Sequence, residues 1–409
     1  MTARACRPSR SITRRAFLGA SAATAAFTFV DAASVRGAPA NSKIELGVIG
    51  CGGRGRWITN LFNQDGHYKI SSIADYFPQV AQGAGQQFGV DAKRCFSGLG
   101  GYKRLIEAKV DAVALETPPW VFPAHATAAV EAGCHVYMAK PVACDVPGCL
   151  TIAEQAKKAT AKKRVFLVDF QIRTDPFWIE SVKRVHAGAI GPISLVCSHY
   201  HDEGFSDPPL GKTIEGRLQH LIWVNDTDIG ASYLVNAGIH AVDAALWLLG
   251  DKSPVAAMGA SRRGRKDPHG DSDDSYSVTY EFADGTVLSH RGEHIRNLNG
   301  FQCGAAAYGQ GAYMEGGYDG KTWVHGGPQG YRGGEVKNLY GEGAKRNIAL
   351  FAKLLAEGDC SNTTVPSSVN STLTTILGRE ACRRRGRLTW KELIEANKPL
   401  PVNESGLKE

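Results

Sequence analysis

The chain has no CxxC pair and no regular cysteine spacing; its ten cysteines are scattered over 409 residues. A disulfide framework needs closely and evenly spaced cysteines, so that class of protein is excluded. Nine remain beyond Cys6, and Cys51 and Cys134, in glycine-rich or apolar surroundings, read as small buried residues. Long apolar runs are also missing. The best one, Ala16–Val30, is shorter than the ~20 residues a spanning helix needs, so no stable membrane anchor is expected. Charge of one sign is scarce as well. The formal net charge of +7 comes mainly from six arginines, set against Asp31, in the first forty residues; the rest carries 41 basic and 39 acidic residues. That balance removes any electrostatic argument for a nucleic-acid or membrane partner. The basic runs "SRRGRK" (261–266) and "RRRGR" (383–387) read as solvated loop and helix faces.

What is present begins with "SITRRAFLGASAATAAF" (11–27), two arginines directly before an apolar stretch of small residues. This is the pattern of a twin-arginine export signal, with Ala38-Pro39-Ala40 as its cleavage site. Residues 1–40 are therefore expected to be a leader read by the twin-arginine translocase, and the mature chain to be periplasmic. That pathway carries folded proteins, which points to a cofactor loaded before export. The remaining 369 residues suffice for about two domains.

"KIELGVIGCGGRGRWITNLFN" (43–63) runs from an apolar strand through a glycine turn into a helical pattern. Gly50, Gly52 and Gly55 satisfy G-x-G-x-x-G, and Gly53 adds a fourth glycine. The spacing suits a tight turn, close approach to a pyrophosphate and close helix–strand packing, with the phosphates at the helix N-terminus. A second strand, "YKISSIAD" (68–75), ends at Asp75, 25 residues beyond Gly50, where an acid binds ribose hydroxyls and repels the extra phosphate of NADP. NAD is therefore expected, tightly bound; Arg54 and Arg56 in the turn keep NADP open. Further strands at 110–117 and 134–141, separated by a helical stretch, imply a parallel sheet with right-handed crossovers.

"TPPWVFPAHATAAVEAGCHVYMAKPVACD" (117–145), "GASYLVNAGIHAVDAALWLLGD" (230–251) and "VPSSVNSTLTTILGREACRRRGRLTWKEL" (365–393) resemble segments of the glucose–fructose oxidoreductase/inositol dehydrogenase (Gfo/Idh/MocA) family. The resemblance covers nearly all of 43–395. It implies an α/β fold: a Rossmann domain over 41–168, then an α/β domain over 169–409 with an open, mostly antiparallel sheet for substrate binding and oligomerisation. A dimer or tetramer is implied by resemblance alone. Independently, 193–200, 275–282 and 286–294 are β-rich, "ADG" (283–285) signals a hairpin, 300–343 reads as irregular loops and short strands, and 345–358 as an amphipathic helix ending at glycine.

The resemblance also implies site residues. Lys140 matches the lysine of a Glu-Lys-Pro motif beside the nicotinamide, although Ala139 stands where glutamate is usual. His240 matches the family histidine and is expected to take the hydroxyl proton. Asn236 replaces an aspartate; it cannot exchange a proton at neutral pH but can hold a substrate hydroxyl. Asp243, on the next turn, is a candidate to orient His240. Thr117, Pro118, Pro119, His125 and Gln171 join Gly50, Gly52, Gly53, Arg54, Gly55, Asp75 and Lys140 as expected cofactor contacts. Arg173, His199, Arg217 and Trp223 join Asn236 and His240 as expected substrate contacts. His199 and His201 share a strand face beside Asp202 and Glu203, but no third ligand follows at a recognisable spacing, so a polar pocket wall is expected there rather than a metal site.

The expected activity is oxidation of a secondary hydroxyl of a sugar, glycoside or polyol, with Lys140 stabilising the alkoxide. Two alternatives stay open: an NAD-dependent glycoside hydrolase or lyase that oxidises transiently and eliminates, and a non-catalytic sugar or nucleotide sensor.

Overall fold

The structure, a computed structural model, describes residues 43–205, 213–266 and 269–409. The leader expected over residues 1–40 lies outside the described residues. Among those described, no helix is long and apolar enough to cross a membrane.

The N-terminal half alternates strands and helices: β1 (Ile44–Ile49), α1 (Gly53–Asp65), β2 (Tyr68–Asp75), α2 (Pro78–Phe88), β3 (Cys95–Ser97), α3 (Gly101–Glu107), β4 (Ala112–Leu115), α4 (Phe122–Glu131), β5 (His135–Ala139), α5 (Val146–Ala161) and β6 (Phe166–Asp169). The strands pair in parallel in the order β3-β2-β1-β4-β5-β6. This is the doubly wound Rossmann order, whose reversal between β1 and β4 opens a crevice at the carboxyl ends of the strands. Side chains alternate across the sheet as the pleat requires. Leu46 and Val48 of β1 and Tyr137 of β5 pack with Ile58 and Phe62 of α1, while Ile49, Val136 and Met138 point into the core on the other face.

A second sheet follows α6 (Pro176–His186). Its strands are β7 (Ile193–Asp202), β8 (Ala256–Arg262), β9 (Ser275–Glu281), β10 (Val287–His294), β11 (Gln302–Gly309), β12 (Tyr313–Gly317), β13 (Thr322–His325), β14 (Tyr331–Arg332) and β15 (Leu388–Thr389). They run β14-β13-β12-β11-β7-β10-β9-β8-β15, antiparallel except for β7 and β10. The stretch 300–343, expected to hold irregular loops and short strands, supplies four of these strands. Its glycines and short alternations hid β11, whose eight residues pair with β7 along nearly their whole length.

Three later helices tie the halves together. α7 (Ile239–Leu248) is apolar apart from His240 and Asp243 and buried almost throughout, the pattern of a central helix. α8 (Leu339–Glu357) starts six residues before the expected 345, because the Asn338 side chain caps it by accepting from Gly341 N, and it stops at left-handed Gly358 as expected. Phe351 of α8 packs against Tyr68 and Tyr137, and Tyr68 Oη donates to the Ile348 carbonyl at 2.7 Å. α8 thus lies on the Rossmann sheet and brings Tyr340 to the glycine turn. α9 (Thr364–Arg384) fills the space between α5, α7 and β8. All nine cysteines among the described residues are free, and Cys51 and Cys134 are buried.

Candidate active site

A cavity of about 1280 Å³ runs along the carboxyl ends of β1, β2, β4 and β5 and on between the two sheets. The chain turns sharply as it leaves β1. Gly50 has φ +94°, and a Cβ there would sit 2.7 Å from the Glu116 carbonyl carbon; one on Gly55 would collide with the Gly50 carbonyl oxygen. Both glycines are required by close approach. Gly52 differs, since a Cβ there would meet nothing within 4 Å and would project into open space. That space lies at the N-terminus of α1, where backbone N–H groups have no partner inside the helix and attract an anion. At the end of β2, Asp75 accepts from Cys51 N at 2.8 Å and from Phe77 N at 3.0 Å, which fixes its carboxylate at the cavity wall. The loop, the open cradle at Gly52 and the oriented acid fit a dinucleotide.

Thr117, Pro118, Pro119 and His125 line the same cavity. The His125 ring packs against Tyr102 in a tilted arrangement at 4.2 Å, its Nδ1 lies 3.4 Å from Thr117 Oγ1, and burial pushes its pKa down to about 3. It is a neutral wall, not a cation.

At the inner end, Lys140 follows β5 and is partly buried; its Nζ donates to the Asn236 carbonyl at 2.8 Å. Asn236 belongs to a π-turn, Leu234–Gly238, that interrupts the regular helical ladder just before α7. Such turns recur at functional sites because they re-aim backbone groups. The Asn236 amide donates to the Gly230 carbonyl at 3.2 Å, and its side chain still reaches the cavity. His240, in the first turn of α7, is buried, and among the described residues its Nδ1 has no hydrogen-bond partner. Its ring stands among Tyr318 (5.1 Å), Tyr200 (6.2 Å) and Phe170 (6.2 Å). Burial, then the charges of Lys140 and Arg54, push its pKa well below 6.5. Trp223 lines the cavity as expected, and Phe301 stands more than half exposed at its mouth.

Five expected contacts are placed differently. Arg173 makes a bidentate pair with Asp243 at 2.8 and 2.9 Å, reaches Asp251 at 2.6 Å and stands over the Trp247 ring; it lies outside the cavity wall. Asp243 is buried and also accepts from Ser371 Oγ at 2.7 Å, so it anchors Arg173 and does not orient His240. Arg217 is held by Asp226 at 2.9 Å and Asp228 at 2.7 Å, while its neighbours Leu218 and Gln219 face the cavity instead. His199 lies on the far side of β7, stacked on His201 at 5.7 Å; inward-pointing Tyr200 is the β7 residue that reaches the cavity. Gln171 is fully buried one layer below, bonded to Asp169 at 2.8 Å and Tyr318 Oη at 2.5 Å. Among the described residues no group of three His, Cys, Asp or Glu side chains converges on a metal position.

Arg54 is the fifth. It lines the cavity, but its guanidinium turns inward: Nη2 is 2.6 Å from Asp169 Oδ2, Nε is 3.0 Å from Glu116 Oε2, and Nη1 donates to Tyr340 Oη. Arg56 donates to the carbonyls of Cys51 at 3.2 Å and Val80 at 3.5 Å. Both arginines of the turn are engaged within the protein, and the ground for expecting NADP falls away.

Glu116, Asp169, Tyr200, Phe301, Tyr318 and Tyr340 were not among the expected site residues. Glu116 had a signal: an acid at the end of an apolar strand, next to Thr117. Asp169 ends β6 of the Rossmann sheet, and the others come from a strand, loops and the start of α8 in the second half, with no local pattern to single them out.

Residues 44–168 match the model of an oxidoreductase family with an NAD-binding Rossmann fold, and residues 179–298 match the Gfo/Idh/MocA C-terminal domain. Together the two segments cover more than half of the chain. The chain belongs to the Gfo/Idh/MocA family. Curated relatives include inositol 2-dehydrogenase 4 of Saccharopolyspora erythraea, 26% identical over 258 residues (61% of this chain, 66% of that one). The inositol 2-dehydrogenase of Burkholderia vietnamiensis is 27% identical over 227 residues (52% and 65%). The chain thus spans just under two thirds of the length of these curated relatives. Among solved structures, an inositol dehydrogenase homologue from Azotobacter vinelandii in complex with NAD+ superposes with a TM-score of 0.71 at 18% identity, covering 85% of this chain and 98% of that one. Levoglucosan dehydrogenase in complex with NADH and L-sorbose gives 0.70 at 20% identity (86% and 100%). These likenesses show the fold: a Gfo/Idh/MocA chain with a Rossmann domain of the NAD-binding type.

Proposed function

We propose that this Gfo/Idh/MocA protein is an NAD-dependent oxidoreductase acting on a secondary hydroxyl of a sugar or polyol. One observation carries the reading: Lys140 and His240 lie together at the inner end of the cavity that the glycine turn and Asp75 open. Inositol 2-dehydrogenases among the relatives agree with a cyclic polyhydroxy substrate, and Tyr200, Tyr318, Trp223 and Phe301 offer faces on which such a ring can stack.

Bound NAD supplies the acceptor for the two electrons and hydrogen that leave the carbinol carbon. The hydroxyl proton is the protein's concern. Burial, then the Arg54 charge, bring Lys140 down to about 7, so near neutrality it can both take a proton and, once charged, stabilise a forming alkoxide. His240 is kept neutral, and its ring, which lines the cavity, can accept from a substrate hydroxyl and orient it. The sequence pointed to His240 as base; the electrostatics favour Lys140. Asn236, whose backbone carbonyl holds Lys140 Nζ, steadies the ammonium from the helix side.

Export by the twin-arginine route, cleavage after residue 40 and a periplasmic location are part of this reading. They rest on the sequence of residues 1–40 and explain why the cofactor would be held tightly, since the periplasm maintains no NAD pool. The enzyme is tested by presenting cyclitols, monosaccharides and anhydrosugars to the purified chain with NAD and following nicotinamide reduction. At least one class should turn over, and Lys140→Met should lower the rate by about 10² to 10⁴-fold with the nucleotide retained. Near-normal turnover in that variant would remove Lys140 from the chemistry.

A further inference from the structure

Three neighbouring strand ends of the Rossmann sheet meet beneath the inner end of the cavity. The register pairs Leu115 with Met138 and Ala139 with Asp169, so Glu116 and Asp169 flank Ala139 on either side. Lys140 is the next residue. The Arg54 guanidinium touches both acids and so bridges from β4 to β6 across the end of β5, where the strand's last residue is Ala139.

The two acids are held differently. Asp169 is saturated: Arg54 at 2.6 Å, Gln171 Nε2 at 2.8 Å and Asn347 Nδ2 at 2.6 Å all donate to it. The Glu116 side chain is wholly buried, yet among the described residues neither of its oxygens has a hydrogen-bond partner; Arg54 Nε, at 3.0 Å, is close without being aligned. A buried carboxylate with only an off-axis charge beside it holds its proton more firmly than an exposed one.

We propose that Arg54, Glu116 and Asp169 form a positioning cluster that sets the protonation of Lys140, with Glu116 as its adjustable member. The proposal deepens the oxidoreductase reading and rests on it for the role of Lys140. The cluster balances two acids against Arg54 and Lys140, so a charge lost from either side is felt at the lysine. Arg54 disfavours the Lys140 ammonium, while Asp169 and Glu116 favour it. The other ionisable groups facing Lys140 are Cys303 at β11 and His240 on α7; Cys51, Tyr137 and Tyr340 face the cluster from the Rossmann side and α8. Burial brings Glu116 up to about 7 and Lys140 down to about 7, so the charge of each responds to the other near neutrality. Glu116 thus provides, from the adjacent strand, an acid next to Lys140 where Ala139 and Asn236 provide none.

The test reads the lysine directly, without turnover. The purified protein is labelled with acetic anhydride across a range of pH, and acylation of the Lys140 peptide is quantified by mass spectrometry. The wild-type midpoint should lie near neutrality. Glu116→Gln should lower it by about one pH unit and Arg54→Gln should raise it by a similar amount, the range expected for one charge in contact distance. The double variant R54Q/E116Q should return it towards the wild-type value. If R54Q does not fold, E116Q and the double variant still decide. An unmoved midpoint in E116Q, or shifts of the same sign in the two single variants, would overturn the cluster. Midpoints that move as stated while no sugar or polyol reduces NAD would support the cluster and sink the oxidoreductase reading; turnover with unmoved midpoints would do the reverse.

Discussion

A lysine at the inner end of the cavity, partly buried at the end of a buried sheet, has lost much of its water, and among the described residues the Asn236 carbonyl is the one direct acceptor of its ammonium. That is why its proton is mobile near neutrality, and why kcat/KM of the wild-type enzyme should rise with pH to a plateau above about 7, following the deprotonation of Lys140. A profile flat from acid to neutral pH would contradict it. Arg173 makes the opposite case. Its position in "VDFQIRTDP" suggests a substrate contact, but its partners Asp243 and Asp251 lie 70 and 78 residues away in sequence and no local pattern announces them. Arg173→Met should therefore leave Asp243 buried and unpaired, lowering unfolding free energy by about 3 to 5 kcal/mol in urea titrations. Any surviving folded enzyme should keep its KM. A raised KM with unchanged stability would put Arg173 back in the pocket. Arg54 was misplaced for the same reason: a basic residue in a glycine turn suggests a phosphate contact, whereas its acids arrive from two other strands.

At the scale of elements, the Rossmann half was legible because each part is specified locally. Strand, glycine turn and helix follow one another between residues 44 and 65, and β2 occupies the expected 68–75. The two kinds of glycine separate experimentally. Gly55→Ala forces a methyl into the Gly50 carbonyl and should destabilise the fold by about 1 to 3 kcal/mol. Gly52→Val adds its side chain to open space, so the unfolding midpoint should stay in place while NAD affinity, measured by calorimetry, falls by about tenfold or more. Equal effects of the two substitutions would show that Gly52 does not mark the cradle. The second half was less legible. The β11 to β14 stretch is glycine-rich, and its strands are defined by pairing with β7 and with one another. The π-turn before α7 reads in sequence as plain helix, so the exposure of the Asn236 carbonyl to Lys140 could not be foreseen.

The whole molecule carries several histidines kept neutral by burial. His125 and His290 are pushed down to about 3, His135 to about 4, and His240 well below 6.5. Their folded values lie below the unfolded 6.5, so as pH falls through 6.5 the unfolded chain binds protons that the folded chain refuses, and stability is lost. Glu116 works the other way, because its folded value, about 7, lies above the unfolded 4.5, and it offsets about one proton in that window. The net loss approaches three protons, each worth about 1.4 kcal/mol per pH unit at its limit. Urea midpoints should fall steeply between pH 6.5 and about 5; a level profile would mean these histidines are solvated.

The central claim is that this fold carries NAD for redox chemistry on a polyhydroxy ring. It is tested most directly by purifying the protein without added nucleotide, denaturing it, and identifying what is released. About one equivalent of NAD or NADH per chain, its redox state changing when a sugar or cyclitol is added before denaturation, is the predicted result. An empty protein, or a bound nucleotide that no carbohydrate oxidises or reduces, would contradict the account.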